Sequence, residues 1–431
     1  MFNKVDVLLV FEHVSRELES LFIIKAELEK KGLSVAIAPM HFDRYYSILS
    51  YHPKILVLPY LYSENNKTLK QFRDLYGDDV VCLNLHHEQF YNDDTKHHML
   101  PKDDYSKNVF HLCWSDKFKD DLIQIGVKDI DIEVLGNPRC DSFYMPTLPQ
   151  LEKIKEGYSK VIFVPTTFSW AFVDENYFLS NDSIDPVEFK KTREITLNAA
   201  KSYFIDFYEA SSIYPEYLFV LRPHPFEDIE YFLSKFLEFT GLEVLPKNII
   251  ITRDYNVYNW MKIADYTVGW CTTVNVESVM AGVPSIIYHP TFYPSKMNLE
   301  FYNYFNIVTD KKVLFSILSG EKAYKVDDDV HIFLKRNFGF NGSYVSNALA
   351  EWVCSILECE RNSINNTELS KIILAKTFFR SIYIDLVKVM ALKSGLLGKI
   401  FPRYSGLVED YLSKSDIEIK YKEFKEIYHE M

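Results

Sequence analysis

The stretch YLFVLRPHPFEDIEYF, residues 217–232, sets an arginine and a histidine between prolines where an apolar run gives way to an amphipathic one. Arg222 offers a planar fork that can grip a phosphate through two N–H bonds and keeps its charge at any ordinary pH. His224 adds a donor that titrates near neutrality. Pro223 and Pro225 fix φ and reduce the entropy lost when the two groups are ordered. The chemistry this predicts is the binding of negative charge. A single histidine is more commonly structural, but the arginine beside it at a strand terminus weighs against that reading.

Three other strand-end stretches carry polar residues. In DYTVGWCTTVNVESVMAGVPSIIYHP, residues 265–290, Thr272 and Thr273 fall where a strand passes into a helix. Hydroxyls and free N–H groups at a helix start attract an anion, helped by the helix dipole. Glu277 follows Thr273 by about one turn and shares its face, so its carboxylate could accept from ribose hydroxyls. The plainer alternative is a solvated helix glutamate. In VVCLNLHHEQF, residues 80–90, Glu88 stands beside His87 and could take a proton from a hydroxyl. Glu12 and His13, after the first strand, are rivals for that role. The HHE spacing differs from the helix-borne zinc motif, and adjacent histidines on a strand face opposite ways, so no metal site is expected. LGNPRCD, residues 135–141, places Arg139 in a further strand-end turn, which could equally be a turn that only closes the domain.

Alternating short apolar strands and amphipathic helices must position these residues. Runs such as VDVLLVF (5–11), KILVLPY (54–60), KVIFVP (160–165) and PSIIY (284–288) are continuously apolar, the mark of parallel strands covered on both faces. The alternation lapses at MPTLPQLEKIKEGY, residues 145–158, and restarts. The reading is α/β: a Rossmann-like acceptor domain over 1–145, a linker over 146–158, and a Rossmann-like donor domain over 159–344. Helices over 345–431 complete it. In doubly wound sheets ligands meet the carboxyl ends of the strands, so a cleft between the two domains is the expected site.

Composition narrows the function. A net charge of −12 argues against nucleic acid as a partner. The six cysteines form no CxxC pair, which predicts reduced thiols rather than a zinc or disulfide framework. The N-terminal apolar run is short and leads into polar residues, and no stretch approaches the ~20 apolar residues that span a bilayer. A cytoplasmic protein is expected. Aromatic residues make up 16% of the chain, which is read as packing rather than sugar stacking. Residues 371–403 hold seven Lys or Arg against Asp385 alone. A basic amphipathic helix there suits an anionic membrane surface, which would make the protein peripheral on the inner face of the cytoplasmic membrane. A helix packed back on the protein with a solvated basic face is the other reading.

The motifs IEVLGNPRCD, LRPHPFED and GWCTTVNVESVMAGVPSIIYHP, in that order, resemble bacterial surface-carbohydrate (capsule or lipopolysaccharide) glycosyltransferases of the GT-B type. That group includes capsule ulosonic-acid transferases, polysialyltransferases and teichoic-acid polyol-phosphate transferases. The resemblance covers roughly residues 80–290 and implies two Rossmann-like domains in a GT-B arrangement. It further implies that Arg222, His224, Thr272 and Thr273 hold donor phosphate and Glu277 the ribose. Glu88 would be the base, with Glu12 or His13 as substitutes and His87 and Arg139 as further contacts. The donor would be a nucleotide-sugar, with a slight preference for a CMP-activated ulosonic acid, and the acceptor a glycan or lipid-linked glycan. No cofactor or metal is then required. Trp270 and Val274 stand where that pattern has a small residue or glycine. The layout also resembles non-hydrolysing nucleotide-sugar 2-epimerases; a UDP-sugar 2-epimerase or a polyol-phosphate transferase is the alternative, and a non-catalytic assembly scaffold is a third reading.

Overall fold

The computed structural model describes residues 3–40, 44–78, 80–91, 96–173, 175, 185–225, 227–294, 299–339, 344–360, 371–393 and 412–428. The chain forms two compact units, one of residues 1–146 with 332–431 and one of residues 147–331.

The first unit is a six-stranded parallel sheet in the order β2-β1-β3-β4-β5-β6. β1 (Asn3–Phe11) leads into helix α1 (Val14–Lys30), and β2 (Val35–Pro39), α2 (Arg44–Ser50) and β3 (Tyr51–Leu58) follow. α3 (Lys67–Tyr76), β4 (Val81–Asn84), β5 (Phe110–Cys113) and β6 (Ile132–Val134) complete the alternation. β1 is apolar and buried from Val7 to Phe11 because both its faces are covered there. Val7, Leu9 and Phe11 enter a core with α1, while Leu8 and Val10 enter another with α3.

The second unit is a five-stranded parallel sheet, order β11-β10-β7-β8-β9. Its strands are β7 (Lys160–Pro165), β8 (Tyr217–Arg222), β9 (Ile249–Ile251), β10 (Tyr266–Gly269) and β11 (Ser285–Ile287). Residues 146–158, read as a linker, hold helix α4 (Pro149–Glu156). Helix α5 (Pro186–Ile213) starts where Asp185 accepts the Val187 N–H at 2.9 Å. The aromatic content goes into this core, where Phe204 meets Phe232 at 4.8 Å and Phe236 at 5.3 Å between ring centroids.

The tail returns to the first unit. Buried Asp141 accepts the N–H groups of Val345 at 2.9 Å and Ser346 at 2.6 Å, capping the next helix, α6 (Val345–Glu360). The Asp141 of the GNPRCD stretch is thus an anchor for the tail. α7 (Lys371–Lys393) packs on α2 and α3. α8 (Lys414–Tyr428) packs on α1, with Tyr421 and Phe424 at 5.3 and 5.5 Å from Phe22. Lys399 and Arg403 of the basic tail lie outside the described residues. Among those residues no helix is long and apolar enough to cross a membrane.

Candidate functional site

In the second unit the polar residues gather at the carboxyl ends of β7, β8 and β10, three adjacent strands. Pro165 is in register with Arg222, so the residues that follow β7 meet the RPHP turn. Arg222 is buried, and its Nη1 donates to the Asp254 carbonyl at 3.1 Å. Burial, and then the neighbouring Arg253, lower its guanidinium to about 10, which leaves it charged at neutral pH. Arg253 in turn donates to the Pro225 carbonyl at 2.7 Å.

The other side of the turn is held by Glu227, which sequence reasoning did not single out. Its Oε2 accepts the His224 N–H at 3.1 Å and the Thr166 hydroxyl at 3.4 Å, and its Oε1 accepts the Ser169 hydroxyl at 3.2 Å. The carboxyl is 1% exposed, and burial raises it to about 7 despite those donors. An acid three residues after His224 was the available signal. The amphipathic run after the turn becomes helical only from Ile229, capped by Asp228 on the Tyr231 N–H, because Glu227 turns inward.

At the end of β10 the Thr272 Oγ1 accepts the Val274 N–H at 3.2 Å, and Thr273 precedes the short helix Val274–Met280 without capping it through its side chain. The Thr167 hydroxyl donates to the Cys271 carbonyl at 2.5 Å, tying this turn to the end of β7. A Cβ on Gly269 would meet Asn275 Oδ1 at 2.2 Å and Thr272 Cγ2 at 2.6 Å, so the turn is built on glycine. Trp270 is buried between Phe168 and Tyr293, ring centroids 5.6 and 5.4 Å away, and so packs as core. Glu277 is buried, not solvated. His289, at the end of β11, bonds the Trp270 carbonyl at 2.9 Å and stacks on Tyr293, and burial lowers it to about 4.

The first unit gathers a second cluster. Glu12 and His13 follow β1, Arg16 and Glu17 open α1, Tyr60 follows β3 and Glu88 follows β4. Arg16, not anticipated from sequence, bridges three carboxylates: Glu17 Oε1 at 2.7 Å, Glu88 Oε1 at 2.9 Å and Glu12 Oε2 at 3.4 Å. The Tyr60 hydroxyl donates to Glu12 at 2.9 Å, and His13 lies 3.7 Å from Glu12. Burial would raise the Glu17 carboxyl, but the His87 and Arg16 side chains and the Glu12 N–H hold it below the usual range. Side-chain exposure separates the three acids: Glu17 0%, Glu12 19% and Glu88 37%. Glu88 is therefore the carboxylate most open to an incoming hydroxyl.

The two histidines of HHEQF part company. His86 adopts φ 46° and sets its Nε2 2.8 Å from His111 Nδ1 inside the core. His87 is also buried, and burial lowers it to about 4, so it is neutral at pH 7. Arg139 is buried with its guanidinium over the Trp114 ring at 5.4 Å. Among the described residues no group of three or more His, Cys, Asp or Glu is placed to hold a metal ion.

No protein-family model matches the chain, and no curated protein matches it. Solved structures do. A co-structure of S. aureus MnaA with UDP is 11% identical at a TM-score of 0.51, covering 83% of this chain and 97% of that one. The wall teichoic acid polymerase TagF, in a structure soaked with CDPG, is 11% identical at 0.50, covering 83% and 89%. UDP-GlcNAc 2-epimerase from Neisseria meningitidis bound to UDP-GlcNAc is 11% identical at 0.47, covering 83% and 100%. The likeness shows the fold: two Rossmann-like parallel-sheet units in succession, of the GT-B type.

Proposed function

We propose that the chain is a nucleotide-sugar enzyme, and within that class a glycosyltransferase of surface-glycan assembly. The observation that carries the proposal is the RPHP turn, held from one side by Arg253 and from the other by buried Glu227, with Arg222 charged at its base. A turn locked in this way presents fixed donors to a leaving phosphate, and donors that need no reorganisation stabilise developing charge best. Thr272 and Thr273 extend that surface from the neighbouring turn, and Glu277 is assigned to the ribose.

Glu88 is assigned to deprotonating the acceptor hydroxyl, with Glu12 and His13 as the alternatives. Its exposure and its contact with Arg16 favour an accessible, positioned base. The acceptor is a glycan or lipid-linked glycan. For the donor, two proteins of similar fold were solved with UDP and with CDPG, and a compact monophosphate site suits a CMP-activated ulosonic acid. The shared class is a pyrimidine nucleotide carrying a sugar or polyol.

A 2-epimerase is the second reading, favoured by the gathering of Glu12, Glu17 and Glu88 around Arg16, since carboxylates alone can shuttle a proton at a sugar carbon. Incubation with UDP-GlcNAc in the absence of acceptor separates the two. Turnover without acceptor supports the epimerase. Nucleotide release only when a glycan acceptor is added supports transfer.

A further inference from the structure

The outer face of α7 is unusual. Ile373 and Leu374 pack into the core under α2 and α3, and Ser381 is buried, so one stripe of the helix is docked on the first unit. The opposite stripe is largely apolar. Ile372 is 81% exposed, Phe378 52%, Phe379 69%, Ile382 42% and Tyr383 67%. At 3.6 residues per turn, positions 372, 379, 382 and 383 fall along one line, with 378 beside it. Lys376 and Arg380 are exposed on the same side, four residues apart, and no acid occurs from 371 to 384.

In a chain of net charge −12, exposed aromatics interleaved with cations and free of acids need a partner of opposite charge and apolar depth. A lipid bilayer with anionic headgroups supplies both. A protein partner fits less well, because the centres of protein interfaces are depleted in lysine. We propose that this face of α7 seats the first unit on an anionic membrane surface. Phe378, Phe379 and Tyr383 enter the headgroup layer, and Lys376 and Arg380 pair with lipid phosphates. The helix lies flat because its inner stripe stays docked on α2 and α3. This inference stands independently of the reaction the protein performs.

The test sediments the full chain with vesicles of equal parts phosphatidylglycerol and phosphatidylcholine, and with phosphatidylcholine alone. The expected result is salt-sensitive binding to the anionic vesicles only. Each cation contributes roughly fivefold on such a surface, so Lys376→Gln with Arg380→Gln weakens binding by thirtyfold or so, on the order expected for two lost charges. Phe378→Ser with Phe379→Ser weakens it at least about tenfold at an unchanged circular dichroism spectrum and melting temperature. No binding by the native chain, or equal binding by both variants, overturns the proposal. So does a dimer in sedimentation equilibrium that either pair of substitutions dissolves, which would assign the face to a second copy.

Discussion

His224 and Glu227 bond reciprocally: the His224 N–H donates to the Glu227 carboxylate at 3.1 Å, and the Glu227 N–H donates to the His224 carbonyl at 2.8 Å. Two prolines stiffen the turn from within, and this pair closes it from outside. The position of the His224 ring therefore depends on a carboxylate that itself faces the core.

Removing that carboxylate should be costly. Glu227→Ala leaves the half-buried His224 N–H without this acceptor, a loss of about 1–3 kcal/mol. Glu227→Gln keeps an oxygen for the same N–H and should cost under about 1 kcal/mol. Urea denaturation of the two variants compares them. Equal losses would show that the carboxylate does not hold the turn.

The same residue makes stability depend on pH. Burial raises the folded carboxyl from 4.5 to about 7, so the folded state favours the protonated form. Its stabilisation is fully present below 4.5 and is lost as pH rises through 7. Glu227→Gln should flatten this limb, so the difference between variant and native midpoints grows as pH rises across the window. A constant difference contradicts the assignment.

Much of this was legible in the sequence, and the misses have physical causes. The strand run 160–165 coincides with its observed bounds because buried parallel strands are largely apolar and end in sharp polar turns. Residues 146–158 read as a linker because Pro146 and Pro149 punctuate them, yet proline is also favoured in a first helical turn, where Pro149 sits. That the tail packs back on the protein was one of two readings of its sequence, but its anchor was not legible because it rests on Asp141 bonding Val345 and Ser346 about two hundred residues away. Arg16 and Glu17 were hidden inside an ordinary amphipathic helix pattern. Only the adjacency of β1, β3 and β4 brings them to Tyr60 and Glu88.

Arg16 is the hub of the acidic cluster. Arg16→Met strands the fully buried Glu17 carboxylate, and breaking such a pair costs about 3 kcal/mol or more. Arg16→Lys retains charge but loses the fork and should recover only part of that. Chemical denaturation ranks the three proteins, and native-like stability in Arg16→Met would remove Arg16 from this role.

Glu88→Gln separates binding from chemistry. It should lower kcat for transfer by roughly a hundredfold or more, the contribution of a positioned base. Nucleotide affinity should stay unchanged. Retained turnover moves the base to Glu12 or His13, and Glu12→Gln then becomes the informative variant.

Asp141→Ala should loosen the tail. Losing the carboxylate from the start of α6 costs about 1–2 kcal/mol. Limited proteolysis should then cut near residue 345 faster, while the second unit keeps its protection. An unchanged cleavage pattern would contradict Asp141 as the anchor.

The central claim is that the RPHP turn and the threonines after β10 form a phosphate site. Calorimetric titration with CMP, UMP, CDP and UDP tests it in the native protein and in His224→Ala and Thr273→Val, each verified as folded. At least one of these nucleotides should bind, and both substitutions should weaken it by about tenfold, the loss of one charge-assisted or hydroxyl bond each. Binding by neither native protein nor variants, or equal binding by all three, would contradict it.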